Sequence, residues 1–271
     1  MKSVLITGAG AGIGAATARA LVQRGYDVHA GVRRLVDAPP GTTPVRLDVT
    51  DDVQLATAIA QVGQATGDAG LHALINNAGI IVQGPLELMP SSEWRDQFDV
   101  NVVGPAALMR AFLPLLRLGH GRIVNVSAPT ARVAMPFLAP LSASKAALES
   151  LSHAARLELA PWRIPVVLVV PGAMDTGIFP RAGKRSEATL DAATAEQRAL
   201  YEPALAALGR AMAKTKLGDV AVAVGGIVEA VEARKPKRRY LAGRDARSAG
   251  LLAHLPMRTR DRLLASYLGL R

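Results

Sequence analysis

Short, nearly continuous apolar runs alternate along this chain with longer stretches in which apolar residues return at helical spacing. Ser3–Thr7, Asp27–Gly31, Leu71–Ile75, Ile123–Val126 and Ile164–Val170 are rich in Val, Leu, Ile and Ala, as strands buried on both faces must be. Val45–Thr50 ends a further strand, and Tyr240–Gly243 is a last short one. Between them, Ala15–Arg24, Ser91–Leu116 and Gly218–Ala233 carry an apolar face of helical period. From Ser142 to Leu159 the recurrence is Ala143, Ala147, Leu148, Leu151, Ala155 and Leu159, so a strand ends near Ser127 and a helix begins after Pro140. The alternation predicts an α/β fold with a parallel sheet.

At 271 residues, half of them apolar, the chain suffices for one domain spanning 1–271, and no linker or repeat divides it. Cysteine is absent, which suits a reducing compartment. The first strand begins by Ser3, and no apolar run approaches the ~18 residues of a spanning helix. A cytoplasmic protein is therefore expected. The net charge is +10, and its placement matters more than its size. Arg234–Arg271 holds eleven basic residues against two acidic ones. This basic, helical extension (244–271) reads either as a surface for nucleic acid or anionic lipid, or as a solvated edge packed by Leu251, Leu252, Leu255, Leu263, Leu264, Tyr267 and Leu268. No nucleic-acid motif accompanies the charge, so no nucleic-acid partner is expected. The edge reading, with a possible role as an oligomer contact, is preferred to peripheral membrane contact.

The first strand runs into Gly8-Ala-Gly-Ala-Gly12-Ile13-Gly14 and then a helix. This order brings backbone N–H groups and a helix N-terminus to one place, where a pyrophosphate can sit; the alternative is a plain tight turn. An acidic residue ~20 positions beyond the glycines would bind the ribose 2′-OH of NAD. The chain has Gly31-Val32-Arg33-Arg34 there. Two guanidiniums suit a 2′-phosphate, so NADP(H) is favoured over NAD(H), unless both arginines are merely solvated. Asp51 and Asp52 open the following helix. Gly177–Lys216 is polar and helix-prone, and a substrate lid (177–216) is the natural assignment. No metal is expected.

The Gly8–Gly14 spacing, Asn76-Asn77-Ala78-Gly79 after a strand, Asn101 in a long helix, Lys145 and Pro171-Gly172-Ala-Met-Asp-Thr176 occur in the order used by the short-chain dehydrogenase/reductase family, which this sequence resembles over nearly its whole length. The resemblance implies a Rossmann-type, doubly wound parallel sheet with helices on both faces. It places Gly8, Gly12, Ile13, Gly14, Arg33, Arg34, Asp48, Val49, Asn77, Ala78, Gly79, Lys145, Pro171, Gly172 and Thr176 on the cofactor, and Asn101 and Lys145 at catalytic positions. Where the family has its catalytic Tyr, four residues before Lys145, this chain has Leu141. Where the family has its Ser, it has Ala128, and only Ser127 survives of the usual Ser pair.

Reducing a ketone by hydride needs a proton for the developing alkoxide and a donor for its oxygen. Leucine and alanine supply neither. General acid catalysis is worth roughly 10²–10⁴-fold and one oxyanion donor roughly 10²–10³-fold. Three readings follow. One is non-redox chemistry, such as cyclisation, isomerisation, dehydration or conjugate addition, on a small apolar, polyketide- or terpenoid-like substrate, with Met135, Phe137 and Leu138 near Leu141. Another is NADPH-dependent reduction with a substitute donor such as Ser142, Asp175 or Tyr201. The third is a nucleotide-binding pseudoenzyme. The apolar excess of Ser91–Leu116 and Ser142–Leu159 further predicts a homodimer or homotetramer.

Overall fold

The computed structural model describes residues 1–270, apart from the side chain of Lys214, so Arg271 of the basic extension lies outside the described residues. In chain order the elements are β1 (Ser3–Thr7), α1 (Gly12–Val22), β2 (Asp27–Val32), β3 (Thr43–Arg46), α2 (Asp52–Thr66), β4 (Ala73–Asn76), α3 (Ser91–Phe98), α4 (Gly104–Leu118), β5 (Arg122–Val126), α5 (Ala139–Glu158), β6 (Val166–Pro171), α6 (Ile178–Asp191), α7 (Ala195–Lys214), α8 (Val220–Glu232), β7 (Arg239–Ala242), α9 (Arg244–Leu252) and α10 (Met257–Leu268). The strands form one parallel sheet in the order β3-β2-β1-β4-β5-β6-β7, which is the doubly wound arrangement expected.

Alternate residues of each strand enter opposite cores, as the period of two requires. Val4, Ile6, Ala73, Ile75, Val124 and Val167 pack with Ala18 and Leu21 of α1 and with Ile227, Val228 and Val231 of α8. Leu5, Leu74, Ile123 and Val166 pack on the other side with Leu55, Ala58 and Val62 of α2 and with Leu108, Met109, Phe112 and Leu116 of α4. Both faces are therefore covered, and the strands read as unbroken apolar runs for that reason. The carboxyl ends of β1, β4, β5 and β6 gather the loops that carry the motifs.

Several expected boundaries shift. Helix α1 starts at Gly12 rather than Ala15, so the last two glycines of the motif belong to its first turn. Helix α5 starts at Ala139, before Pro140 rather than after it. A proline in the first turn lacks only an N–H that would have no helical partner, so the helix incorporates it. The stretch 91–116, read as one regular helix, is interrupted by a π-helical turn at Asp99–Val103. Taken together, Ser91–Leu118 is long and apolar enough to cross a membrane by length and composition, which corrects the expectation that no apolar stretch approaches that length. The apolar stripe of α4 nonetheless has the sheet as its partner.

The segment 177–216 forms α6 and α7. Arg185 of α6 pairs with Glu93 and Asp96 of α3, and Tyr201 of α7 donates to Glu87 at 2.7 Å. Near the C-terminus, Pro256 separates α9 from α10. Leu268 of α10 is buried, and Tyr267 shares a hydrogen bond with Thr215 beyond α7 at 3.1 Å.

Candidate active site

The ends of β1 and β4 are clamped together. The Thr7 hydroxyl accepts the backbone N–H of Asn77 at 3.1 Å and of Ala78 at 3.0 Å. Asn77 Nδ2 in turn donates to the Thr7 carbonyl at 2.9 Å and to that of Gly8 at 3.3 Å. This holds the glycine loop against Asn77-Ala78-Gly79. Gly8 sits at φ +64°, which disfavours a side chain, and a Cβ on Gly14 would lie 2.2 Å from the Gly8 carbonyl oxygen. The residue that caps α1, Ala11, offers no side-chain acceptor to the first-turn amides. Ile13 packs into the core beneath. The result is a cradle of small residues and free amides at a helix N-terminus, and it fits a pyrophosphate. Thr176 closes it from the far side, its Cβ 3.1 Å from where a Cβ of Gly12 would stand. The Pro171–Gly172 turn that leads there is tied to α9 by Asp245, which accepts the Ala173 amide.

Beyond the glycine loop the chain holds a carboxylate that local reading missed. A 3₁₀ turn at Leu35–Asp37 returns Asp37 to the loop, its Cβ 3.0 Å from the position of a Cβ on Gly10. Arg34 grips it with Nε at 2.9 Å and Nη2 at 2.7 Å, and that hydrogen bonding holds the Asp37 carboxyl below the ordinary acid range. Arg33 has no carboxylate partner among the described residues. Asp48 accepts the Thr50 amide at 3.1 Å and hydroxyl at 2.8 Å, so it caps its own turn. Val49 is buried against α2 and α4.

The π-turn explains where Asn101 points. Its Oδ1 accepts the Ile80 amide at 3.0 Å, and its Nδ2 donates to the Ile80 carbonyl at 3.1 Å and to the Ser144 hydroxyl at 3.4 Å. Gln97, four residues earlier and fully buried, does the same work: its Nε2 donates to the Ile80 carbonyl at 2.9 Å and its Oε1 accepts the Val82 amide at 2.7 Å. Sequence reading overlooked Gln97, although a second amide four residues from Asn101 was the available signal. The two side chains fix the loop after Gly79. A Cβ there would lie 3.2 Å from Asn101 Oδ1 and 3.7 Å from Lys145 Nζ, so Gly79, Asn101 and Lys145 meet at one point.

Lys145 is buried and donates to the Val126 carbonyl at 2.8 Å. Burial lowers its ammonium from 10.5 to about 8, against the opposing pull of Glu149 one turn along α5. One turn before it, Leu141 is buried, and Ala128 is half-buried after β5. Of the substitute donors named from the sequence, each has its own surroundings. Ser142 accepts the Met135 amide at 3.4 Å, Tyr201 is bonded to Glu87, and Asp175 is exposed. Ser127 donates to Glu149 at 2.9 Å, and the same buried carboxylate takes Arg239 through Nη1 at 2.8 Å and through Nη2, with Arg132 at 3.5 Å.

Comparison with known proteins shows the family and the fold. The profile of the family described as short chain dehydrogenase matches residues 2–187. The chain is 30% identical to a 3-amino-tetrahydro-pyrrolizinone reductase of Xenorhabdus hominickii, over 91% of this chain and 88% of that protein. It is 31% identical to an NADPH-dependent 3-dehydrocapnine reductase of Ornithobacterium rhinotracheale, over 89% and 88%. Among solved structures, a short chain dehydrogenase from Burkholderia cenocepacia J2315 in complex with NADP superposes with a TM-score of 0.77, at 31% identity, covering 97% of this chain and 99% of that one.

The Glu149 network gives a direct test of the site's frame. Arg239→Ala leaves a buried carboxylate short of its main partner and is expected to cost about 3–5 kcal/mol in urea denaturation. Replacing Glu149 and Arg239 together with leucine should cost far less. Equal losses in the two variants would mean that the pair does not act as a unit.

Proposed function

The chain belongs to the short-chain dehydrogenase family, and from that premise we propose that it binds NADP(H) and transfers protons to or from a small apolar substrate without the family's tyrosine. The cradle formed by Gly8, Gly12, Ile13 and Gly14 fits the pyrophosphate, and the free guanidinium of Arg33 fits a 2′-phosphate better than the paired Arg34. Asp48 and Val49 border the adenine, Asn77–Gly79 and Lys145 the nicotinamide ribose, and Pro171–Thr176 the nicotinamide amide. When bound, NADPH supplies a hydride.

One observation carries the proton-transfer reading: a buried leucine, Leu141, stands one turn before Lys145. No phenol is then available to protonate an alkoxide, and Ala128 offers no donor to its oxygen. An amine titrating at about 8 exchanges protons readily near neutrality. Lys145 is thus suited to be the acid or base of an isomerisation, dehydration, cyclisation or conjugate addition on a polyketide- or terpenoid-like molecule. Met135, Phe137 and Leu138 precede Leu141 and supply apolar surface. Helices α6 and α7 act as the lid, held to the body by Arg185 and Tyr201. A second reading, NADPH-dependent reduction with the Lys145 ammonium as donor, is supported by the relatives named as reductases. Assembly as a homodimer or homotetramer is part of the same proposal; the exposed Val103, Leu118 and Leu157 on the π-turn, α4 and α5 support it.

Calorimetry should find NADPH bound more tightly than NADH. Arg33→Ala should weaken NADPH by about tenfold, as expected for a charge-assisted contact, and leave NADH unaffected, while Arg34→Ala does less. Equal affinity for the two cofactors would refute the 2′-phosphate assignment. The double change Ala128→Ser and Leu141→Tyr should bring NADPH-dependent reduction of simple ketones to at least about 10²-fold above the unmodified protein. If the unmodified protein is already as fast, another donor is present and the second reading holds.

A further inference from the structure

A cavity of about 390 Å³ lies at the β7 edge of the sheet, between the turn after β5 and helix α9. Helix α9 offers it Arg247, Gly250 and Leu251, at spacings of three and four residues that share one helical face, and His254 follows just past the helix end. The opposite wall is apolar, made by Val170 and Leu241 with Ala128 and Pro129. Leu251 is 74% exposed and Leu241 37%, so each side of the opening presents a large apolar side chain to water.

The charge in the cavity is one-sided. Arg132 and Arg239 line it, and both lean on Glu149, which already takes two hydrogen bonds from Arg239 and one from Ser127. One carboxylate is shared by two guanidiniums there. Arg247 has no carboxylate partner among the described residues, and His254 adds a ring N–H. A ligand that satisfies this lining needs an acceptor head for forked guanidinium donors and an apolar body for the leucine walls. The volume falls at the lower end of the range for small-molecule sites, ~300–1,000 Å³.

The geometry points to a separate binding site for an apolar carboxylate of medium chain length, its head on Arg247 and Arg132 and its chain between Leu241 and Leu251. Its wall shares Ala128 with the substrate side but includes nothing of the glycine cradle or of the Asn101–Lys145 point, so it does not depend on the cofactor reading. It accounts for part of the basic surplus of the C-terminal segment. It also meets the catalytic segment at Ala128, two residues from the carbonyl that receives Lys145.

Calorimetry of the full chain with sodium decanoate and with 1-decanol tests this. Decanoate should bind at least about tenfold more tightly than decanol, the margin a charge-assisted contact gives. Arg247→Ala should remove that margin, Arg247→Lys should keep part of it, and Leu251→Asp should abolish decanoate binding. Both positions are exposed on α9, so these variants should fold, which circular dichroism checks. Saturation with NADPH should leave decanoate affinity unchanged. Indifference to the head group, or binding untouched by Arg247→Ala, would overturn the assignment. So would sedimentation showing a dimer that Leu251→Asp dissociates, since a second copy of the chain would then cover this face.

Discussion

A buried ammonium must be solvated by the protein itself, and Lys145 meets that demand with the carbonyl of Val126, 2.8 Å away at the end of β5. That bond fixes α5 against the sheet where the motif loops converge. It also brings Lys145 beside Gly79 and Asn101. Glu149, one turn further on, lends its charge to the lysine and is itself held by Ser127 and by Arg239 from β7. The arrangement of the cleft therefore depends on how one helix places two buried charges, and the desolvation of each is offset by hydrogen bonds rather than by water.

Two halves of the site have different standing. On the nucleotide side the glycine cradle, the Thr7–Asn77 clamp and the closure by Thr176 together fit a pyrophosphate. On the substrate side the lysine is retained without its usual neighbours. Leu141 is buried one turn before Lys145, and Ser127 is committed to Glu149. In the proposed reading the amine is the group that moves a proton there.

Much of this was legible in the sequence, because the features concerned are local. Apolar runs buried on both faces, a glycine loop between strand and helix, and the spacing from Leu141 to Lys145 need no partner far along the chain to be read. The features that escaped are those set by distant residues. Arg239 reaches Glu149 across 90 positions, and no local pattern announces that pairing. Asp37 returns to the glycine loop through a 3₁₀ turn, so counting residues from the glycines missed the acid that occupies Arg34. The π-turn at Asp99–Val103 lay hidden inside a good helical pattern, and with it the partnership of Gln97 and Asn101. The start of α5 lies before Pro140 rather than after it, because the first turn of a helix tolerates a proline.

The account rests on Lys145 being a proton carrier near neutrality rather than a fixed cation. The most direct measurement is an NMR titration of the Lys145 side chain in isotopically labelled protein, assigned against Lys145→Met. A midpoint near 8 is predicted, since burial disfavours the charged form more than Glu149 restores it. A midpoint close to the ordinary 10.5 would contradict the account, because the amine would then hold its proton throughout the neutral range and could not act as a base.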